Sequence, residues 1–327
     1  MTVPSGALRF NSDSGKLEYY NGEAWWQIDN FSADNATGGA RGIVFGGENT
    51  PTTFSSIEYL NIASTGNAIS FGTLGTGRGS TSACASNTRA LTAGGYNAGY
   101  RNLIDYITIS STGNSTSFGT LQESKQSVSG LSSRTRGIFC GGTNGSPTAI
   151  NTIDYVTIES TGNGVDFGDL TSGRGIPGCC ASSTRGIIGG GSTPTIINNI
   201  NFITISTLGN AATFGTLTEA KFTCSTSNSI RGLFFGGGNP SATNTIEYIT
   251  IATLGNGTDF GDLTVARDQS GACASSTRGI CAAGYAPTVN NTVDYVTIMS
   301  TGNAIDFGDL VYARAETSAC SNAHGGL

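Results

Sequence analysis

The sequence predicts an all-β protein, a six-bladed β-propeller behind a short N-terminal β-leader. A basic residue followed by a short apolar run recurs six times, at Arg41, Arg89, Arg136, Arg185, Arg231 and Arg278, with spacings of 48, 47, 49, 46 and 47 residues. Each unit contains four strand-like segments with period-two patterning, and no window carries a helical period of 3.6. A repeat of about 40–50 residues built from four strands is the signature of a propeller blade.

The elements follow in chain order. Residues 1–30 are expected to form a leader of three short strands, 7–10, 16–20 and 24–28, turning at 13–15 and 21–23. Thirty residues cannot build a core of their own, so the aromatic cluster at its end, Tyr19, Tyr20, Trp25 and Trp26, must pack on the body or on another subunit. Tyr20, Trp25 and Trp26 are therefore the expected assembly anchor. Residues 31–327 are expected to be the propeller, with 33–40 a weak candidate strand ahead of the first repeat.

Within a unit, taking the fifth, Arg231 opens a strand that Gly236-Gly237-Gly238 breaks. Ile246–Ile251 alternates as the second strand, Leu254-Gly255-Asn256 turns it back, and residues 259–263 form the third. The fourth is a run of small residues, 270–275, with counterparts at 82–86, 178–182 and 317–321. Only Gly, Ala, Ser and Cys let several strands converge, so this strand is expected nearest the axis. The aromatic columns (Tyr59, Tyr106, Tyr155, Phe202, Tyr248, Tyr295, then Phe71 to Phe307) should fill the widening space outside it. The chain enters with no convincing small-residue strand and finishes with a spare one at 317–323, which is expected to complete the first blade and remove a sheet edge.

Two classes of connection separate the faces. The turn after each second strand is always Gly-Asn, from Gly66-Asn67 to Gly302-Asn303, and reads as a tight structural turn. The opposite face carries connections that differ between copies, and recognition is expected there. Its off-pattern residues are Tyr96, Tyr100 and Arg101, with Asn144 and Asn239. Rings beside Arg and Asn suit stacking on sugar faces and bonding to hydroxyls.

Composition excludes several functions. The net charge is −6, and twelve of the sixteen Lys and Arg fall in two repeat columns, which leaves no basic footprint for nucleic acid. No apolar run is long enough to span a membrane as a helix, and residues 1–6 have the look of neither part of a signal peptide. The eight cysteines lack zinc-like spacing and read as reduced packing residues of a chain folded in a reducing cytoplasm. With a single histidine, His324, neither a catalytic triad nor a His-built metal centre can be assembled, and His324 reads as a drifted member of the arginine column. The acidic column Glu58, Asp105, Asp154, Glu247 and Asp294 follows the repeat, so it is expected to pair with the repeat arginine rather than to catalyse. Off-pattern carboxylates meeting in one pocket, which a glycan hydrolase or lyase would need, are not visible. No catalytic residue, metal or cofactor is expected.

Gly46-Gly47, Tyr59 and Phe71, with their counterparts in every later copy, resemble the kelch-repeat propellers over residues 41–327, although the third-strand aromatic is Phe rather than Trp and the sixth copy has Ala283-Gly284. The phrase from Thr152 to Leu170 is similar to repeats in virion structural proteins of tailed marine phages, cyanophages among them. Residues 6–22 with Trp25-Trp26 are similar to β-segments of phage tail-fibre and appendage proteins. These resemblances imply a non-enzymatic virion protein acting in host attachment or display, as part of a tail fibre or tail appendage. The alternative is a head decoration or head-fibre protein. The partners they imply are other virion proteins, further copies of the chain and a host cell-surface glycan.

Overall fold

The computed structural model describes residues 3–11, 16–27, 40–146, 149–192 and 194–327. The expected turn at 13–15, all but the last residue of the candidate strand at 33–40, and the boundary between leader and body lie outside the described residues. Among those described there is no helix, and therefore none long and apolar enough to cross a membrane.

The body consists of six four-stranded antiparallel sheets, an architecture of the propeller-like class. The second sheet is representative. Its order is Ser82–Ala85, Arg89–Ala93, Leu103–Thr108 and Thr116–Thr120, with each strand paired to the next in the chain. The third to sixth sheets begin with the small-residue strands Ser129–Ser132, Gly178–Ala181, Phe222–Ser227 and Gly271–Ala274. The first sheet is assembled from both ends of the body, because Ser318–Ser321 pairs with Arg41–Phe45, followed by Ser56–Asn61 and Ile69–Thr73.

The small-residue strands touch their counterparts in neighbouring sheets, from the first sheet through to the sixth, and the sixth touches the first. Their size is the reason. An ideal Cβ on Gly130 would lie 2.4 Å from the Ala83 carbonyl oxygen of the sheet before it, so nothing larger than a hydrogen fits there. Side-chain hydroxyls join the same strands. Ser132 Oγ donates to the Ala85 carbonyl at 2.8 Å, and Ser227 Oγ to the Ala181 carbonyl at 2.7 Å.

Farther out, three devices recur, the first within each sheet and the other two between sheets. The first is aromatic. Tyr155 and Phe167 meet edge-on at 6.0 Å and 78°, and all six sheets repeat this pair, with Phe202 standing in for Tyr in the fourth. Such geometry adds about 0.5–1.5 kcal/mol to the burial of the rings. The second is the repeat arginine. Arg136 lies over the Tyr155 ring at 5.1 Å while its Nη1 donates to the Ile205 carbonyl of the next sheet at 2.7 Å. The other five do the same, each on a carbonyl of the neighbouring sheet.

The third device is the Gly-Asn turn, which is a latch as well as a turn. Asn114 Oδ1 accepts the Thr73 N–H of the preceding sheet at 3.0 Å, and the Gly113 N–H donates to the Phe71 carbonyl at 2.9 Å. A Cβ at Gly72 would sit 2.0 Å from the Gly113 carbonyl oxygen. Phe-Gly in one sheet and Gly-Asn in the next are thus two halves of one contact, and this is why both are repeated so faithfully.

The acidic column does not pair with the repeat arginine. Its partner is the second basic column, the one just before each small-residue strand. The pairs are Arg78–Asp105 at 2.7 Å, Lys125–Asp154 at 2.8 Å, Lys221–Glu247 at 2.8 Å, Arg267–Asp294 at 3.0 Å and Arg314–Glu58 at 2.9 Å. These basic side chains are buried. The repeat arginines satisfy carbonyls instead, because they lie at the opposite end of the strand from the carboxylates. In the remaining unit Asn201 replaces the acid, and Arg174 Nη2 donates to its Oδ1 at 2.7 Å.

His324 is not a drifted arginine either. After Ser321 the chain crosses the hub. His324 Nδ1 accepts the Gly326 N–H at 3.1 Å, so the ring proton resides on Nε2, which faces the Ala85 carbonyl at 2.9 Å and Ser132 Oγ at 3.1 Å. The Gly325 N–H donates to the Ser227 carbonyl, tying the tail to a third sheet. Burial holds the His324 imidazole below its usual range. A base whose folded pKa is depressed stabilises the fold above its unfolded value, and that contribution is lost as pH falls. The urea midpoint is therefore expected to drop between pH 7.5 and 5.5. His324→Gln should flatten that segment of the profile; an unchanged slope in the variant would assign the effect elsewhere.

Candidate functional site

The strand directions place the Gly-Asn turns and the tail on one face, and the variable connections on the other. On the variable face the leading ends of the six innermost strands surround a central cavity of about 100 Å³, lined by hydroxyls such as Ser82, Ser129, Thr223 and Ser318. A smaller cavity of about 50 Å³ continues inward and is bordered by His324.

Two columns of residues ring this mouth. One follows the glycine pair of each repeat and reads Glu48, Tyr96, Thr143, Ser192, Gly238 and Tyr285. Backbone bridges to the neighbouring segment fix each of these positions. The other reads Ser80, Ser127, Ile176, Phe222, Gln269 and Glu316. Five of its members, all but Phe222, are left-handed, with φ between 52° and 56°. Their main chains bond in series across sheets, Glu316 N–H to Gln269 O, Ser80 to Glu316, Ser127 to Ser80 and Ile176 to Ser127. The first column and five members of the second keep the backbone constant and change the side chain, which is the arrangement expected of a recognition surface. Of these columns the sequence singles out only Tyr96, because the connections that contain them differ in length and composition. The signal was variation at a constant offset from the repeat arginine.

Two off-pattern carboxylates do converge on this rim, contrary to the sequence expectation. A Cβ built on Gly79 would lie 3.2 Å from Glu316 Oε2 and 3.4 Å from Glu48 Oε2, so both acids border the same point. Burial pushes the Glu316 carboxyl up, the Ser80 hydroxyl pulls it down, and the Glu48 charge pushes it up further. The pair is chemically suited to accept hydrogen bonds from ligand hydroxyls. Among the described residues no group of three or more His, Cys, Asp or Glu gathers to hold a metal ion.

The expected binding residues are only partly brought together. Tyr96 and Tyr100 form an edge-on pair at 5.5 Å and 74°, 39% and 37% exposed. A Cβ on Gly145 would meet the Tyr100 ring at 3.1 Å, so Asn144 is in the loop beside this pair. Asn144 Nδ2 bonds to Glu123 at 3.2 Å. Arg101 braces its own loop, Nη2 donating to the Asn97 carbonyl at 2.7 Å. Asn239 is on the fifth sheet, three sheets on from Tyr96, and caps the Ala220 carbonyl at 2.9 Å. Exposed rings missed in the sequence are Tyr285 and Tyr312, the latter stacked on Phe54 at 5.5 Å. With Tyr96 and Tyr100 they form an arc over the sixth, first and second sheets, on the side that carries Glu48 and Glu316.

The leader is a three-stranded antiparallel sheet, Leu8–Asn11, Lys16–Tyr20 and Trp25–Gln27. Its register divides the expected anchor between two faces. Leu8, Tyr19 and Trp26 lie in one cross-strand row, with Phe10 and Leu17 in the next, and all five are exposed, Trp26 by 55% and Phe10 by 68%. Tyr20 and Trp25 are on the other face, 5.4 Å apart, where Arg9 covers the Trp25 ring at 4.2 Å and bonds to Glu18 at 2.8 Å.

No family model matches the chain, and no curated protein matches it.

Proposed function

We propose that the chain is a non-enzymatic structural protein of a tailed-phage particle, part of a tail fibre or tail appendage. In this reading the six sheets are blades of a closed, kelch-like propeller, displayed through the N-terminal leader. Contact between the sixth and first sheets and the shared first sheet support closure. The protein folds in the host cytoplasm and acts on the particle, where the arc of tyrosines around Glu48 and Glu316 meets a host-surface glycan. A place on the head, as decoration or fibre, is the alternative within the same class.

The observation that carries the reading is the leader's apolar face. Leu8, Phe10, Leu17, Tyr19 and Trp26 present on the order of 500 Å² of apolar surface in one patch. That is at the upper end for a monomeric surface and marks an assembly contact. The polar face, where Arg9 and Glu18 are paired, needs no partner. Phe10→Ser with Trp26→Ser should release the protein from purified particles while the body melts at its usual temperature. Full incorporation of that double variant would remove the leader from the attachment mechanism. Turnover of host polysaccharide by the wild-type chain, lost in Glu316→Gln, would replace the display reading with an enzymatic one.

A further inference from the structure

We propose that Cys224 and Cys281 form a site of oxidative modification, closing to a disulfide that clamps the fifth and sixth sheets together when a peroxide reaches the central cavity. The inference is independent of the virion reading. All eight cysteines are free, and seven are buried. Cys224 is the exception. It is half-buried on the innermost strand of the fifth sheet and borders the central cavity. Cys281, on the second strand of the sixth sheet, is fully buried, and its Sγ lies 3.8 Å from that of Cys224. The two sulfurs already touch, they come from different sheets, and one of them is open to a small solute.

The surroundings favour the chemistry. The contact with Cys224 and the Arg267 guanidinium bring the Cys281 thiol down to about 7, while burial opposes them and the Asp294 carboxylate pushes the other way. Arg267 Nη2 is held in place by the Cys281 carbonyl at 3.1 Å. Burial pushes up Cys84, Cys180 and Cys273, the last two to about 12, and these remain thiols; Cys224 is also pushed up, by its contact with Cys281 and by burial, so the proton the two sulfurs share rests on it.

The step balances with hydrogen peroxide as oxidant. The Cys224 thiol passes its proton to the Cys281 sulfur 3.8 Å away, the resulting Cys224 thiolate takes one peroxide oxygen to give a sulfenic acid, and the other oxygen leaves as hydroxide. Cys281 gives that proton to the hydroxide, which becomes water, and its thiolate attacks the Cys224 sulfenic sulfur. The S–S bond forms, the S–O bond breaks, and the departing hydroxide takes up a proton as a second water. One peroxide is reduced and two thiols are oxidised. Such a clamp stays open in a reducing compartment and closes outside it.

The test treats the full chain with millimolar hydrogen peroxide at pH 7.5, blocks free thiols, and maps the products by mass spectrometry without reduction. The expected result is a loss of 2 Da, a single cross-linked peptide pair containing Cys224 and Cys281, and a raised urea midpoint that dithiothreitol reverses. Cys224→Ser and Cys281→Ser should each abolish the mass loss while melting normally when reduced. A cross-link between Cys140 and Cys179 instead, addition of oxygen to Cys224 without a cross-link, or eight thiols still open to alkylation after denaturation would each overturn the proposal.

Discussion

A chain ending at Glu316 is expected to lose its cooperative melting transition. The deletion removes Ser318–Ser321, the innermost strand of the first sheet, and leaves Arg41–Phe45 without a partner on that side. Ile43, Val44 and Phe45, all fully buried, would then border an open edge. Contacts to both neighbouring sheets go with it, through Ser321 to Ala274 and through Ser318 to Thr81. The loss is comparable to the whole stability of a domain, about 5–15 kcal/mol. A chain ending at Ser321 keeps the strand and loses only the hub-crossing tail, so it should melt cooperatively at a modestly lower temperature. Calorimetry of the two truncations separates strand from tail, and a normal transition in the shorter one would show that the first sheet is stable with three strands.

The second large effect concerns the buried ion pairs. Arg267→Met should cost about 3–5 kcal/mol, because Asp294, fully buried, loses its ion-pair partner and keeps the hydrogen bonds from Thr264. The fourth sheet offers the converse. Burial pulls Arg174 down, and its partner there is the neutral Asn201. Asn201→Asp should restore the pair found elsewhere and raise stability by roughly 1–3 kcal/mol. Urea midpoints measure both. A cost below about 1 kcal/mol for Arg267→Met would mean that water reaches Asp294 or that it takes up a proton.

Much of this architecture was legible because the sequence repeats it. Four strands per unit, small residues at the convergence of the sheets, the opposed faces and the pairing of Ser318–Ser321 with the first sheet all follow from periodicity and residue size. What was not legible depends on contacts between units. Two basic columns recur with equal fidelity, and only the pairing of sheets decides which of them reaches Asp154. Glu48 and Glu316 lie near opposite ends of the body and meet only because the chain returns to its first sheet. The leader's faces are a different case. Alternation alone separates Trp25 from Trp26 and aligns Tyr19 with the exposed row, so the three anchor residues could have been divided from the sequence.

The shared first sheet also sets an order of events during synthesis. About 270 residues separate Phe45 from the strand that pairs with it, and at about 5–20 residues per second the ribosome needs on the order of 15–50 s to produce them. Throughout that interval the Arg41–Phe45 edge is a template for any extended segment nearby, including the same segment on an adjacent nascent chain. Yield from expression should therefore depend on translation rate and on chaperone occupancy more steeply than the stability of the finished protein would suggest.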